Sequence, residues 1–124
     1  MILPDASIWI DHFAVQDIRF AALLDAEDIV LHPMVLGELL LGGLPKRERL
    51  LADLRLLPEP SVADVDEILG FIERHHLSRT GVGYVDAHLV ASCLLDPKVR
   101  LWTRDKRLLK VAERLNVAAD IKSH

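Results

Sequence analysis

The chain has little sulfur, few aromatic rings and no long apolar run. Its one cysteine, Cys93, excludes an internal disulfide framework and suits a reducing compartment. No stretch is long and apolar enough to read as a membrane span. Met1-Ile2-Leu3 is followed at once by Pro4-Asp5, so the start lacks the apolar region of a signal peptide. These absences give the expectation of a soluble cytoplasmic protein with no membrane partner. Aromatic residues make up 5% of the chain and hydrophobic residues 51%, so the core is expected to be mainly Leu, Val, Ile and Ala. Neither HExxH nor CxxC occurs. His75 and His76 are adjacent and cannot share a helix face, so the six histidines give zinc chemistry no support. Gly42-Gly43 and Gly81-Val82-Gly83 lack the context of a phosphate-binding loop.

What is present fits one domain over residues 1–124. A chain of 124 residues is long enough to bury about two-thirds of its unfolded surface without disulfides. The net charge of −4 argues against a general nucleic-acid coat. The distribution is uneven, however. Lys98, Arg100, Arg104, Lys106, Arg107 and Lys110 stand against Asp105 alone, a band that reads either as a phosphate-facing surface or as a solvated helix face.

The chain is organised around its first stretch. Met1-Ile2-Leu3 is a short apolar run that ends near a carboxylate, Asp5, and helical spacing begins directly with Ile8 and Trp9. A buried strand running straight into a helix is the unit of parallel sheets, and ligands bind at the carboxyl ends of such strands. The plain alternative for Asp5 is a helix N-cap. Further helices are expected over 18–26, 34–41 with Pro33 in its first turn, 45–56, 61–77, 84–95 and 106–115. Ser61 with Asp64 reads as a capping box opening the fifth of these seven helices, counted from the one at Ile8. Asp28–Leu31, Val99–Trp102 and an edge segment, Val117–Ile121, read as strands. Alternating short strands and longer helices predict a three-layer α/β domain with a central parallel sheet.

Four acids occupy comparable places. Asp5 follows the first strand, and Asp105 follows the strand ending at Trp102. Glu38 lies among Met34, Val35, Leu36, Leu39 and Leu40, and Asp86 opens the most apolar helix. An acid embedded in apolar sequence is expected to be partly buried, and a buried carboxylate is costly unless it is paired or metal-bound. Two carboxylates about 4 Å apart repel by roughly 4 kcal/mol at an effective dielectric of 20. A helix N-terminus returns only about 0.3–1 kcal/mol. If the four converge, they require protons, basic side chains or a divalent cation, and all-oxygen sites prefer Mg²⁺ or Mn²⁺. Such an ion activates water and stabilises an in-line displacement at phosphorus.

Asp5-Ala6-Ser7-Ile8-Trp9-Ile10-Asp11, Glu38 in a proline-led helix, Gly83-Tyr84-Val85-Asp86-Ala87-His88-Leu89-Val90-Ala91 and Leu101-Trp102-Thr103-Arg104-Asp105-Lys106-Arg107-Leu108 together resemble a PIN domain. More narrowly, the chain resembles the VapC toxins of type II toxin–antitoxin pairs, over nearly its whole length. The resemblance implies an endoribonuclease that depends on Mg²⁺ or Mn²⁺ and hydrolyses RNA phosphodiester bonds with metal-activated water. It also implies a VapB-like antitoxin partner and a homodimer. Asp5, Glu38, Asp86 and Asp105 fall on the acidic, metal-holding positions, and Ser7 and Thr103 on hydroxyl positions beside them. Pro4 departs from the family's usual apolar strand residue and is expected to mark the strand's end.

Two other readings compete with this one: a non-catalytic α/β interaction module whose acids are caps and ion-pair partners, and a DNA-directed nuclease of the same chemistry. His12 and His32 read as surface or turn residues, and His88 points away from Asp86. Cys93 reads as core, and Trp9 and Trp102 as core or interface. Arg104 is expected to touch either substrate phosphate or a site carboxylate.

Overall fold

The computed structural model describes residues 1–121; Lys122 to His124, within the expected domain 1–124, lie outside the described residues. Strand β1 (Ile2–Pro4) runs into helix α1 (Ala6–Ala14). Helices α2 (Ile18–Asp25), α3 (Pro33–Leu41), α4 (Arg47–Leu54), α5 (Val65–Arg74) and α6 (Tyr84–Leu95) follow, then β2 (Arg100–Trp102) and α7 (Lys106–Arg114). Pro33 occupies the first turn of α3, where its missing N–H costs nothing.

β1 and β2 pair in parallel, with Ile2 opposite Arg100, Leu3 opposite Leu101 and Pro4 opposite Trp102. Single parallel bridges continue the sheet outward, from Ile2 to Ile29 on one side and from Leu101 to Ala118 on the other. From β1 the chain thus steps first to one side and then to the other. That reversal is a topological switch point, and it lies between the carboxyl ends of β1 and β2. Consecutive strand residues face opposite sides of a sheet. Leu3 and Pro4 are both buried, as are Leu101 and Trp102, so both faces are covered, as in a three-layer α/β domain.

The outer strands are shorter than the sequence predicts. Asp28–Leu31 forms one bridge, in which the Ile2 N–H donates to Asp28 O (2.7 Å) and the Val30 N–H to Ile2 O (2.9 Å). The next rung needs a donor at Pro4, which has none. Leu31 N–H, on the side away from β1, donates to Pro58 O at 2.9 Å. Pro4 therefore ends its strand, as expected, and also truncates its neighbour. Val117–Ile121 likewise reduces to a bridge, held by Leu101 N–H to Val117 O and Ala119 N–H to Leu101 O, both 2.8 Å.

Ser61 does not cap α5. Asp64 does: its carboxylate accepts from Glu67 N–H (2.8 Å), and Glu67 accepts from Asp64 N–H (3.0 Å). The reciprocal pair begins three residues later than expected because a cap must stand at the last non-helical residue.

The core is mainly aliphatic, but its few aromatics gather around the sheet's carboxyl edge. Trp9 of α1 meets Phe20 of α2 edge-on at 4.6 Å, and Phe20 lies 5.8 Å from Trp102 at the end of β2. Such pairs contribute about 0.5–1.5 kcal/mol each beyond burial. They fix α1 and α2 to the end of β2. Cys93 is buried, and burial pushes its thiol up to about 12, so it is inert packing. Among the described residues, no helix is long and apolar enough to cross a membrane.

Asp64→Ala is expected to cost about 1 kcal/mol in urea unfolding, because it removes the N-cap of α5. Ser61→Ala should be neutral; equal losses from the two substitutions would contradict the capping geometry.

Candidate active site

Asp5 stands where β1 becomes α1, and it is buried. One carboxylate oxygen, Oδ1, accepts from Ser7 Oγ (2.7 Å) and from Ile8 N–H (3.1 Å), which makes Asp5 the N-cap of α1. The other, Oδ2, accepts from the Thr103 hydroxyl, just past β2. The Asp5 N–H donates to Trp102 O at 3.0 Å. The plain capping role and a role at the sheet edge therefore coexist in one side chain. Thr103 Oγ1 in turn accepts from Asp105 N–H (3.1 Å), and Asp105 Oδ1 caps α7 by accepting from Leu108 N–H (2.9 Å). Ser7 and Thr103 are thus placed to orient Asp5.

Asp86 lies in the first turn of α6, partly buried. Its carboxyl is pushed up to about 6, first by burial and then by the charges of Asp5, Asp105 and Glu38. Glu38 projects from α3 and is exposed, against the expectation of partial burial. Its carboxyl is nonetheless raised, by loss of surrounding solvent and by Asp5. Asp86 therefore feels all three other acids, and Glu38 feels Asp5. None of the four has an ion pair among the described residues.

A metal can be tested against this donor set. Carboxylates and hydroxyls are the ligands that Mg²⁺ and Mn²⁺ take, and the uncompensated charge on Asp86 is the charge a cation would relieve. Yet among the described residues no three His, Cys, Asp or Glu side chains are grouped closely enough to hold one ion. Both oxygens of Asp5 accept hydrogen bonds, and Asp105 Oδ1 caps its own helix. The chemistry of the residues fits a hard cation, and their present grouping is looser than a coordination shell.

Arg104 reaches none of the four acids. Its guanidinium bonds to Asp11 (2.6 Å) and Asp17 (3.3 Å), tying the loop after β2 to the end of α1 and the cap of α2. Asp17 also bonds to Arg19, which holds its carboxyl down at about 2. His32 is not a surface residue but fully buried: its Nδ1 caps α3 by accepting from Met34 N–H (3.0 Å). Burial, with His88 nearby, lowers it to about 4, so the ring is neutral at pH 7. His12 is half-buried, stacked on Phe20 at 4.4 Å, and accepts from Asp17 N–H (3.1 Å). His88 packs against Tyr84 and His32.

Comparison with known proteins agrees with this geometry. The family model of the PIN domain matches residues 2–114. The chain is 41% identical over 118 residues to a protein named Ribonuclease VapC32, from Mycobacterium tuberculosis strain CDC 1551 / Oshkosh, with 95% of each chain covered. The protein of the same name from strain ATCC 25618 / H37Rv matches to the same extent. With its parallel sheet, its switch-point acids and these matches over nearly its full length, the chain belongs to the PIN-domain family, within the VapC group of toxins.

Proposed function

We propose that this chain is a metal-dependent endoribonuclease and the toxin of a type II toxin–antitoxin pair, working as a single domain in the cytoplasm. The observation that carries the reading is the Asp86 carboxyl, raised first by burial and then by the charges of Asp5, Asp105 and Glu38, with none of the four acids in an ion pair among the described residues. The name of the Mycobacterium tuberculosis relatives supports ribonuclease activity.

Asp5, Glu38 and Asp86 would hold one Mg²⁺ or Mn²⁺, and Asp105 would complete that centre or a second. When bound, the cation supplies acidified water and neutralises charge developing at phosphorus. The chain's own residues do the positioning. Ser7 and Thr103 fix the rotamer of Asp5, and the Thr103 hydroxyl couples Asp5 to the backbone of Asp105. Asp86 is available as a carboxylate once the pH exceeds about 6. Water is the nucleophile in this reading, so the products carry 5′-phosphate and 3′-hydroxyl ends.

A VapB-like antitoxin and a second copy of the chain complete the proposal. A cleft between α3 and α4 is lined by Leu36, Leu40, Leu54 and Leu57. A second apolar cleft lies between α1 and the α3–α4 connection, lined by Ile10, Phe13, Leu44 and Pro45. An antitoxin helix would bury its apolar face there.

Three outcomes follow. Purified protein with Mn²⁺ should cleave RNA to 5′-phosphate ends, and Asp5→Asn or Asp86→Asn should lower the rate by about 10²-fold or more. Asn preserves the cap at position 5, so the fold should persist; cyclic phosphate ends, or full activity in EDTA, would refute the mechanism. Next, Asp86→Asn should raise the Tm of metal-free protein at pH 8. The ionised carboxylate is unfavourable in the fold, so the gain should shrink as pH falls through about 6 and vanish below the unfolded value. Mn²⁺ should raise the Tm of the wild type and not of Asp86→Asn, as differential scanning fluorimetry will read. Lastly, Ile10→Asp should abolish co-purification with the cognate antitoxin while leaving RNA cleavage intact; retained binding would move the docking surface elsewhere.

A further inference from the structure

The basic band in the sequence separates in space. Arg104 is spent on Asp11 and Asp17, and the Arg100 guanidinium bonds to Asn116 O. Lys106, Arg107 and Lys110 instead line one cleft of about 490 Å³ on α7. Arg79 and Thr80, from the loop after α5, form its opposite wall, and Arg114 closes its far end. Arg79, Lys106, Arg107, Lys110 and Arg114 thus share one concavity whose lining contains no acid. None of them has an ion pair among the described residues, in a protein whose net charge is −4.

The cleft is built rather than incidental. Gly81 has φ +83°, and a Cβ there would stand 2.5 Å from Arg107 Cδ. The glycine therefore lets the arginine stem lie flat across the loop. Arg114 is anchored by donating to His75 O at 2.7 Å. Lys106, Lys110 and Arg114 recur every fourth residue, a single stripe about 12 Å long on a helix of 1.5 Å rise per residue. The stripe starts one residue after Asp105, so it runs away from the candidate acidic site along α7.

We propose that this cleft binds the phosphate backbone of single-stranded RNA and holds the strand on one side of the bond to be cut. The proposal rests on the nuclease reading above and adds where the substrate lies. A cation stripe without acids attracts polyanions of any sequence, and its contacts fix register rather than reading bases. An acidic segment of a partner protein is the competing occupant. RNA is favoured because the stripe is continuous with Asp105, where a strand held for cleavage must pass.

The test measures binding apart from turnover. A fluorescent 20-nucleotide oligouridylate is titrated with protein in EDTA at several salt concentrations. Lys106→Gln/Arg107→Gln/Lys110→Gln should weaken binding and make the slope of log K against log salt shallower by about 2, near 0.7 per lost contact. Lys106→Arg/Lys110→Arg should keep the wild-type slope, and so should Lys98→Gln, which lies off the cleft. Circular dichroism establishes that the exposed substitutions leave the fold intact. An unchanged slope in the triple variant overturns the proposal. So does a variant that keeps RNA binding but loses binding to a glutamate dodecapeptide. Cleft-dependent binding by a wild type that never cleaves RNA with Mn²⁺ would retain the cleft and defeat the nuclease reading. Cleavage with a cleft-independent slope would do the reverse.

Discussion

The Asp5 carboxylate holds together two parts of the chain that sequence keeps far apart, the start of α1 and the end of β2. Its oxygens take the first turn of α1 through Ile8 N–H and the end of β2 through Thr103. The backbone beneath repeats the link, from Asp5 N–H to Trp102 O. Hydrogen bonds to a charged group contribute about 1.5–3 kcal/mol each, and these are buried from competing water. The entry of α1 and the place of the Thr103–Asp105 loop both lean on this one side chain, while the backbone ladder sets the β1–β2 register. Trp9, Phe20 and Trp102 then pack against the frame so defined.

Fold and chemistry therefore draw on the same atoms. Asp5 and Asp105 cap α1 and α7, and Asp86 sits in the first turn of α6. Three helix N-termini thus carry acids, each stabilised by the positive end of a dipole. The dipoles do not cancel the cost of these acids: burial first, and then the neighbouring carboxylates, raise the Asp86 carboxyl.

Some of this was legible in the sequence. The strand-to-helix junctions at Asp5 and Asp105 are contiguous in the chain, so composition and spacing reveal them. The α6 acid was visible against its apolar helix. Glu38 was misread as partly buried because α3 is apolar almost all round, and periodicity then gives no outward face. The Asp28–Leu31 strand was overextended because propensity does not register what Pro4 withholds from its neighbour. His32 was taken for a surface or turn residue because histidine is outside the usual capping set, yet its ring caps α3 from full burial. Arg79 and Arg114 join the basic cleft through tertiary packing, which no local pattern encodes.

The Arg104 clamp has a consequence for ionic strength. Its partners Asp11 and Asp17 are bound at a surface where the arginine side chain is 44% exposed. Exposed pairs of this kind contribute about 0–1 kcal/mol, and salt screens them over roughly 10 Å at 0.1 M. The hydrogen bonds that hold Asp5 are buried and feel little of this screening. Rising salt thus weakens the Arg104 tie on the loop that carries Asp105 and leaves the Asp5 hydrogen bonds nearly untouched. The molecule carries an ionic-strength response of its own, separate from that of any nucleic acid it meets.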